Sequence, residues 1–442
     1  MRTDSARDVA HEADSFGYKG RMDLPEPRLL DIPVPSALTH KIALDPTVRQ
    51  RRAFSSFAGC HRVVYNFLLG CWWDWWRTYE RSGRTTTKPN FPELKRTFNS
   101  LRCELFPWMN DPLAAHRDCW SQPFVDLQAA FSGWLRGRND RPTFKSKRDR
   151  QEFYVANDKT RFDDHAIHLP KVGRTKMREA LRFEGKILST RVVRESDGRW
   201  YACVSVEGDH RRAHVGQAVL GLDLGVHHAV AVSDGRTFDS PKPLAHAIKR
   251  LRRAQRALSR RQKGSHRRTR AVARVGAIHA RVKNIRTDWT HKVTTTLIRE
   301  SQAVGIEDLH VKNMQSMRTL ARALSDVGMA ELRRQIQYKA ALSGTAVVLA
   351  DPWYPSTQLC SRCGGRQKMS LLTRKYHCTT CGLVLDRDVN AALNLRFLVP
   401  RASGKPLPDG PAATCVEIGS SWSLKRETNL DPVAMNHGFE SR

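Results

Sequence analysis

The 442-residue chain has no uninterrupted apolar run of about 18 residues, so it offers no candidate transmembrane helix. Its first residues, MRTDSARDVAHEADSFG, lack the apolar core of a secretory signal and are polar and acidic. Acid is scarce over the chain as a whole: 75 Lys and Arg face 44 Asp and Glu, a formal net charge of +31. The shortage is sharpest at residues 249–283, which hold fourteen Lys and Arg and neither Asp nor Glu. A solvated helix usually mixes signs to gain i,i+4 pairs, whereas a face of one sign repels itself until an anion neutralises it. The segment therefore reads as a binder of phosphate backbone with strong salt dependence. A membrane surface is the weaker partner, since no basic amphipathic helix carries Trp or Phe on its apolar face.

Ten cysteines are present, and only four are patterned. Without an export signal the scattered six read as reduced thiols in a cytosolic protein acting at nucleoid DNA. Hydrophobic content of 40% makes the chain globular, and its length allows several domains. Composition shifts suggest a disordered leader at 1–38, a first strand region at 39–53 and a helical block at 54–135. A β-rich unit follows at 136–212, with an Asp-Gly hairpin turn at Ser196–Gly198. An α/β unit spans 213–355, a metal ribbon 356–384, a helix returning to the α/β unit 385–397, and a disordered tail 398–442. Within the helical block, CWWDWW at 71–76 reads as interhelical packing rather than base stacking.

Cys360-x2-Cys363, fourteen residues, then Cys378-x2-Cys381 is the spacing of a four-cysteine zinc ribbon. Gly364 and Gly382 follow the second cysteine of each pair, where such turns need permissive backbone. Four protein ligands leave no open position, so the metal is expected to be structural.

Three acids stand at the ends of elements in the α/β region. Asp223 lies in the apolar strand GLDLG, Glu307 follows the buried-type strand AVGI, and Asp388 opens a helix after the ribbon. A carboxylate in such surroundings costs several kcal/mol unless it is paired or binds a cation. Carboxylates gathered from strands and a helix suit Mg²⁺ and phosphodiester hydrolysis. Asp388, Ala391, Ala392 and Leu395 form one inward stripe at i, i+3, i+4 and i+7, which favours Asp388 over Asp386 as the ligand. Asp386 is expected to support it from outside the metal's ligand set.

The motifs GLDLGVHHAVAVSDG, GIEDLHVKNM, SDVGMAELRRQIQYKA and YPSTQLCSRCG…CTTCGLVLDRDVNAALNL resemble the transposon-encoded TnpB proteins and the related compact type V CRISPR effectors. KIALDPTVRQ…CHRVVYNFLL and GRNDRPTFKSK extend the resemblance, which runs from about residue 40 to 397. It implies a multidomain α/β plus all-β and all-α fold: a RuvC-like nuclease domain of RNase H topology, an inserted zinc ribbon, a wedge-type β-barrel and a helical recognition lobe. It also implies RNA-guided DNA cleavage beside a short adjacent motif, with a guide RNA and double- and single-stranded DNA as partners. By position the catalytic Mg²⁺ trio is Asp223, Glu307 and Asp388, and the zinc ligands are the four cysteines. Arg252, Arg253, Arg256, Arg260, Arg261, Arg267 and Arg268, with Arg141, Lys145 and Lys147 of the turn-rich segment, are the expected nucleic-acid contacts. A guided binder that occupies DNA without cutting is the alternative, and nothing in the sequence fixes an oligomeric state.

Overall fold

The computed structural model describes residues 26–111, 115–147, 149–212, 216–317, 321–370 and 373–404. Most of the expected leader and most of the expected tail lie outside these. Among the described residues, no helix is long and apolar enough to cross a membrane.

Strands β1 (Arg28–Leu29) and β2 (Ala37–Asp45) precede α1 (Val48–Arg81). Pro46 stops β2, and Thr47 starts α1 through a capping box with Gln50, each side chain accepting from the other's backbone N–H. The helical block continues with α2 (Phe91–Leu105) and α3 (Asp118–Leu135). Trp72 stacks on Phe91 at 4.5 Å and lies 4.8 Å from Phe131, while Trp73 packs on Phe131 and Trp134. The aromatic run therefore holds helices together.

Strands β3 (Gln151–Ala156), β4 (Arg161–Asp163), β5 (Ala166–Leu169), β6 (Gly173–Met177), β7 (Lys186–Arg194) and β8 (Trp200–Glu207) join β2. They form one antiparallel sheet in the order β3-β7-β8-β2-β6-β5-β4. Alternation along β8 buries Trp200, Ala202, Val204 and Val206, and this face shares a core with Phe54 and Phe57 of α1. Gly198, at φ +85°, lies in the turn between β7 and β8.

The α/β unit opens with a meander of β9 (Ala218–Asp223), β10 (Val230–Val232) and β11 (Thr237–Phe238). The basic stretch is two helices, α4 (Pro243–Ser259) and α5 (His266–Glu300), separated by a turn with Gly264 at φ +88°. β12 (Ser301–Glu307), α6 (Val311–Ser316), α7 (Ala321–Val327), α8 (Met329–Ser343) and β13 (Ala346–Ala350) follow. The sheet order is β1-β13-β12-β9-β10-β11, with β9, β12 and β13 parallel and the outer strands antiparallel. Period-2 alternation divides each central strand. Leu220, Leu222, Val304 and Ile306 face α5 and α8, whereas Val219 and Ala303 face Leu395, Leu398 and Val399 of the last helix.

Two boundaries differ from expectation. Arg28 and Leu29, read as disordered leader, pair with β13 and satisfy its otherwise open edge; two residues are too few to leave a strand pattern. After β14 (Lys375–His377) and β15 (Val384–Asp386), the final helix α9 (Arg387–Ser403) runs past the expected end at 397. It passes through Pro400 because Leu398 and Val399 are buried against the sheet, and it stops at Gly404, φ +65°.

Candidate active site

Asp223 and Glu307 are the last residues of β9 and β12, and these strands run parallel with Leu222 opposite Ile306. The two carboxylates thus emerge side by side, on the face that α9 covers. Two residues earlier, Gly221 and Gly305 are register partners. A Cβ on Gly221 would stand 1.8 Å from the Ala392 carbonyl oxygen, and one on Gly305 2.3 Å from that of Leu395. The glycine pair lets α9 lie on the sheet at backbone contact, which brings Asp388, one turn before Ala392, over the strand ends. Asp388, Ala391, Ala392 and Leu395 are all buried, as the stripe requires.

Asp388 does not open the helix. Arg387 is the first helical residue and Asp386 the cap, its Oδ1 accepting from the N–H groups of Asp388 at 2.9 Å and Val389 at 3.2 Å. Asp386 holds the backbone that carries Asp388.

Burial pushes the Asp223 carboxyl well above the usual carboxylate range, and Glu307 and Asp388 push it further, with Arg387 opposing. Burial also raises Glu307, against a hydrogen bond donated by the Ser356 hydroxyl. The Arg387 guanidinium lies 3.4 Å from Asp388 Oδ1. The three carboxylates interact electrostatically, and oxygen donors of this kind suit a hard divalent cation. Two further groups lie close by: ligand atoms of His227, His228 and Asp388 all fall within 4.8 Å of one another. The sequence reading passed over these histidines, although a His pair four residues after a strand-end Asp was visible.

Ligand atoms of Cys360, Cys363, Cys378 and Cys381 also lie within 4.8 Å of one another. The Cys360–Cys381 and Cys363–Cys378 sulfurs are each 3.6 Å apart. A tetrahedral ion with Zn–S bonds of about 2.3 Å sets sulfurs about 3.8 Å apart, so the cluster can hold zinc. Both knuckles repeat one geometry: Gly364 and Gly382 have φ +71°, and their N–H groups donate to the carbonyls of Cys360 and Cys378. Burial pushes Cys360 up to about 12. Burial would also raise Cys378, but the N–H groups of Cys381 and Thr380 and neighbouring thiols bring it to about 6.

The ribbon is fastened to α9 by two fully buried asparagines. Asn390 Nδ2 donates to the Leu359 carbonyl at 2.7 Å, and its Oδ1 accepts from Ser361 N. Asn394 Nδ2 donates to the carbonyls of Ser356 and Leu359. Ser356, which bonds Glu307, is thereby tied to the helix that carries Asp388.

Arg252, Arg253 and Arg256 are exposed on α4, Arg260 and Arg261 in the turn after it and Arg267 at the start of α5, while Leu251 and Ala254 pack on Ile278 of α5. Arg268 is turned inward: its guanidinium donates to the carbonyls of Leu258 and Arg261 and closes the C-terminus of α4. The hairpin abuts the antiparallel sheet, where a Cβ on Gly276 would meet the Ser196 carbonyl at 1.9 Å. Arg141 lies 3.9 Å over Trp73 and the Lys145 ammonium 4.1 Å over Tyr65. Asn66 bonds the Lys145 backbone on both sides, and Lys147 is exposed.

Three family models match: "Probable transposase" over residues 201–318, "Cas12f1-like, TNB domain" over 330–395 and "Helix-turn-helix domain" over 37–81. A Streptomyces pristinaespiralis protein named "Putative RNA-guided DNA endonuclease" is 33% identical over 360 residues, covering 79% of this chain and 86% of its own. The chain belongs to the TnpB family. An Escherichia coli relative of like name is 29% identical, over 80% of this chain and 90% of that protein. A solved Cas12f1–sgRNA–target DNA complex is 13% identical, with a TM-score of 0.47, over 79% of this chain and 83% of that one. In this TnpB-family chain the residues matching a helix-turn-helix model form β2 and the single continuous helix α1.

Proposed function

We propose that the chain is an RNA-guided DNA endonuclease, in which Asp223, Glu307 and Asp388 hold Mg²⁺ for phosphodiester hydrolysis. The convergence of these three carboxylates at the ends of β9 and β12 and the start of α9 carries the reading. The names of its relatives support the same activity. The sheet order β11-β10-β9-β12-β13, a meander followed by parallel strands, supports a RuvC-like domain of RNase H topology. The antiparallel sheet and α1–α3 would then be the wedge and recognition elements, and zinc in the cysteine cluster would be structural.

Bound Mg²⁺ would supply Lewis-acid stabilisation of the attacking and leaving oxygens. The chain's own part is electrostatic and positional. The backbone contact at Gly221 and Gly305 sets Asp388 against the strand-end acids, and Ser356 holds the orientation of Glu307. Arg387 balances part of the negative charge. The exposed arginines of α4 would hold the phosphate backbone of guide and target, pairing between the two strands supplying the sequence.

The test is purification with co-expressed RNA, followed by a guide-matched duplex and Mg²⁺. Asp223→Ala should lower the cleavage rate by roughly 10²–10³-fold or more, in the range of losing one transition-state contact. Equal rates for the variant and the original would remove the proposed chemistry. Stable DNA occupancy without any cutting would instead favour the guided binder.

A further inference from the structure

The loop after β9 carries a ligand set that an all-carboxylate Mg²⁺ site does not need. We propose that His227 and His228 form, with Asp388, a nitrogen-containing corner of the active site that takes a first-row transition ion, Mn²⁺ being the probe, more tightly than Mg²⁺. This rests on the nuclease reading only in placing the ion beside the chemistry.

The local cause is in the sequence. Asp223 ends its strand, and Gly225 lets the chain fold back so tightly that a Cβ there would stand 2.9 Å from the His228 carbonyl oxygen. Both imidazoles then hang beside the strand end, their ligand atoms within 4.8 Å of each other and of an Asp388 oxygen. Donors sharing one ion through bonds of about 2.1 Å stand up to about 4.2 Å apart, so only a small closure is required. The two rings are perpendicular, at 87°, with centroids 4.3 Å apart, so they do not stack face to face and their nitrogens can approach an ion from different directions.

A second observation points independently to a ligand. His228 Nδ1 lies 2.7 Å from Oδ1 of Asp239, the residue after β11. An ionised carboxylate only accepts, so Nδ1 carries the proton, and in the neutral imidazole, the form that binds a metal, Nε2 keeps its lone pair. A carboxylate behind one ring nitrogen is how metal-binding histidines are ordinarily fixed in tautomer and orientation. Two imidazoles and one carboxylate are a donor set that first-row transition ions accept, whereas Mg²⁺ favours oxygen and its own waters.

The experiment uses the full-length, zinc-loaded chain freed of nucleic acid by high salt and titrated with Mn²⁺. Free Mn²⁺ is followed by electron paramagnetic resonance, and bound Mn²⁺ by electron spin-echo modulation. The expected result is a ¹⁴N coupling on bound Mn²⁺ that disappears in the His227→Ala/His228→Ala double variant. Mn²⁺ affinity should fall at least tenfold in that variant, and Mg²⁺ affinity by a smaller factor. Asp239→Asn, which leaves both ligands in place, should weaken Mn²⁺ roughly tenfold through the orientation of His228. Bound Mn²⁺ without nitrogen coupling, or equal affinity in the double variant, overturns the proposal. Because the readout is coordination and not cleavage, a failed nuclease reading shows up separately, as an inactive chain that still carries the nitrogen signal.

Discussion

The four-cysteine cluster and the proposed catalytic acids are built in opposite ways. The four cysteines come from one short stretch, in two knuckles of identical backbone geometry, and they close a shell around whatever they hold. The proposed catalytic acids come from residues 223, 307 and 388, and they meet only because two strands are in register and a helix rests on a glycine pair. The first cluster is a local device that tolerates little else around it. The second has no existence apart from the fold of the whole α/β unit. Asn390 and Asn394 join the two, since they bind the ribbon's backbone from the helix that bears Asp388.

Removing the ribbon's metal should therefore produce the largest structural effect. Structural zinc contributes on the order of 10 kcal/mol to small domains that cannot bury enough core. Chelation is expected to abolish amide-exchange protection over 356–386 and to lower cleavage together with it, because Ser356 loses its anchorage and Glu307 its hydrogen-bond donor. Hydrogen exchange measured before and after chelation checks this. Unchanged protection of the ribbon would mean that its fold does not depend on the metal.

A smaller effect of opposite sign is expected at the acids. Asp223 has a folded pKa raised above its unfolded value near 3.9. Above that value the folded state binds more protons than the unfolded one, so this group lowers stability as pH rises toward its raised pKa, and no further beyond it. Asp223→Asn removes the buried charge. The metal-free variant should be more stable than the original at neutral pH by on the order of 1–2 kcal/mol, with a gap that narrows in acid. For a unit of this size that corresponds to a melting shift of a few degrees. On the proposed metal site, added Mg²⁺ should raise the melting temperature of the original and not that of the variant. A less stable variant would mean that the carboxylate is already paired in the fold.

The same contrast explains what was legible in the sequence. Cysteine spacing and the Asp-Gly turn are short-range patterns, and each reappeared at its place. The inward stripe of α9 was legible because a helix repeats every 3.6 residues. The pairing of Gly221 with Gly305 was not, since register between strands separated by two helices leaves no local trace. Nor was the role of Arg268, which looks like its exposed neighbours in a basic run but is spent on carbonyls at and just past the end of α4. Residues 28–29 and the last turns of α9 were misread for a related reason: partners elsewhere in the chain supply their order.

The finest test of the comparison separates the two aspartates at the junction of ribbon and helix. Asp386 accepts two backbone N–H groups and caps α9, whereas Asp388 is buried among the acids. Losing an N-cap carboxylate costs about 1 kcal/mol, and serine at the same position can restore most of it. Asp386→Ala should therefore reduce stability slightly and cleavage by a modest factor, and Asp386→Ser should recover both. Asp388→Ala should leave the cap bonds intact and abolish cleavage, and no serine at that position should rescue it. Cleavage rates and melting curves for these four variants decide the matter. If Asp386→Ala is the inactive one, the helix presents its acids one residue out of the register described, and the carboxylate site must be rebuilt around Asp386.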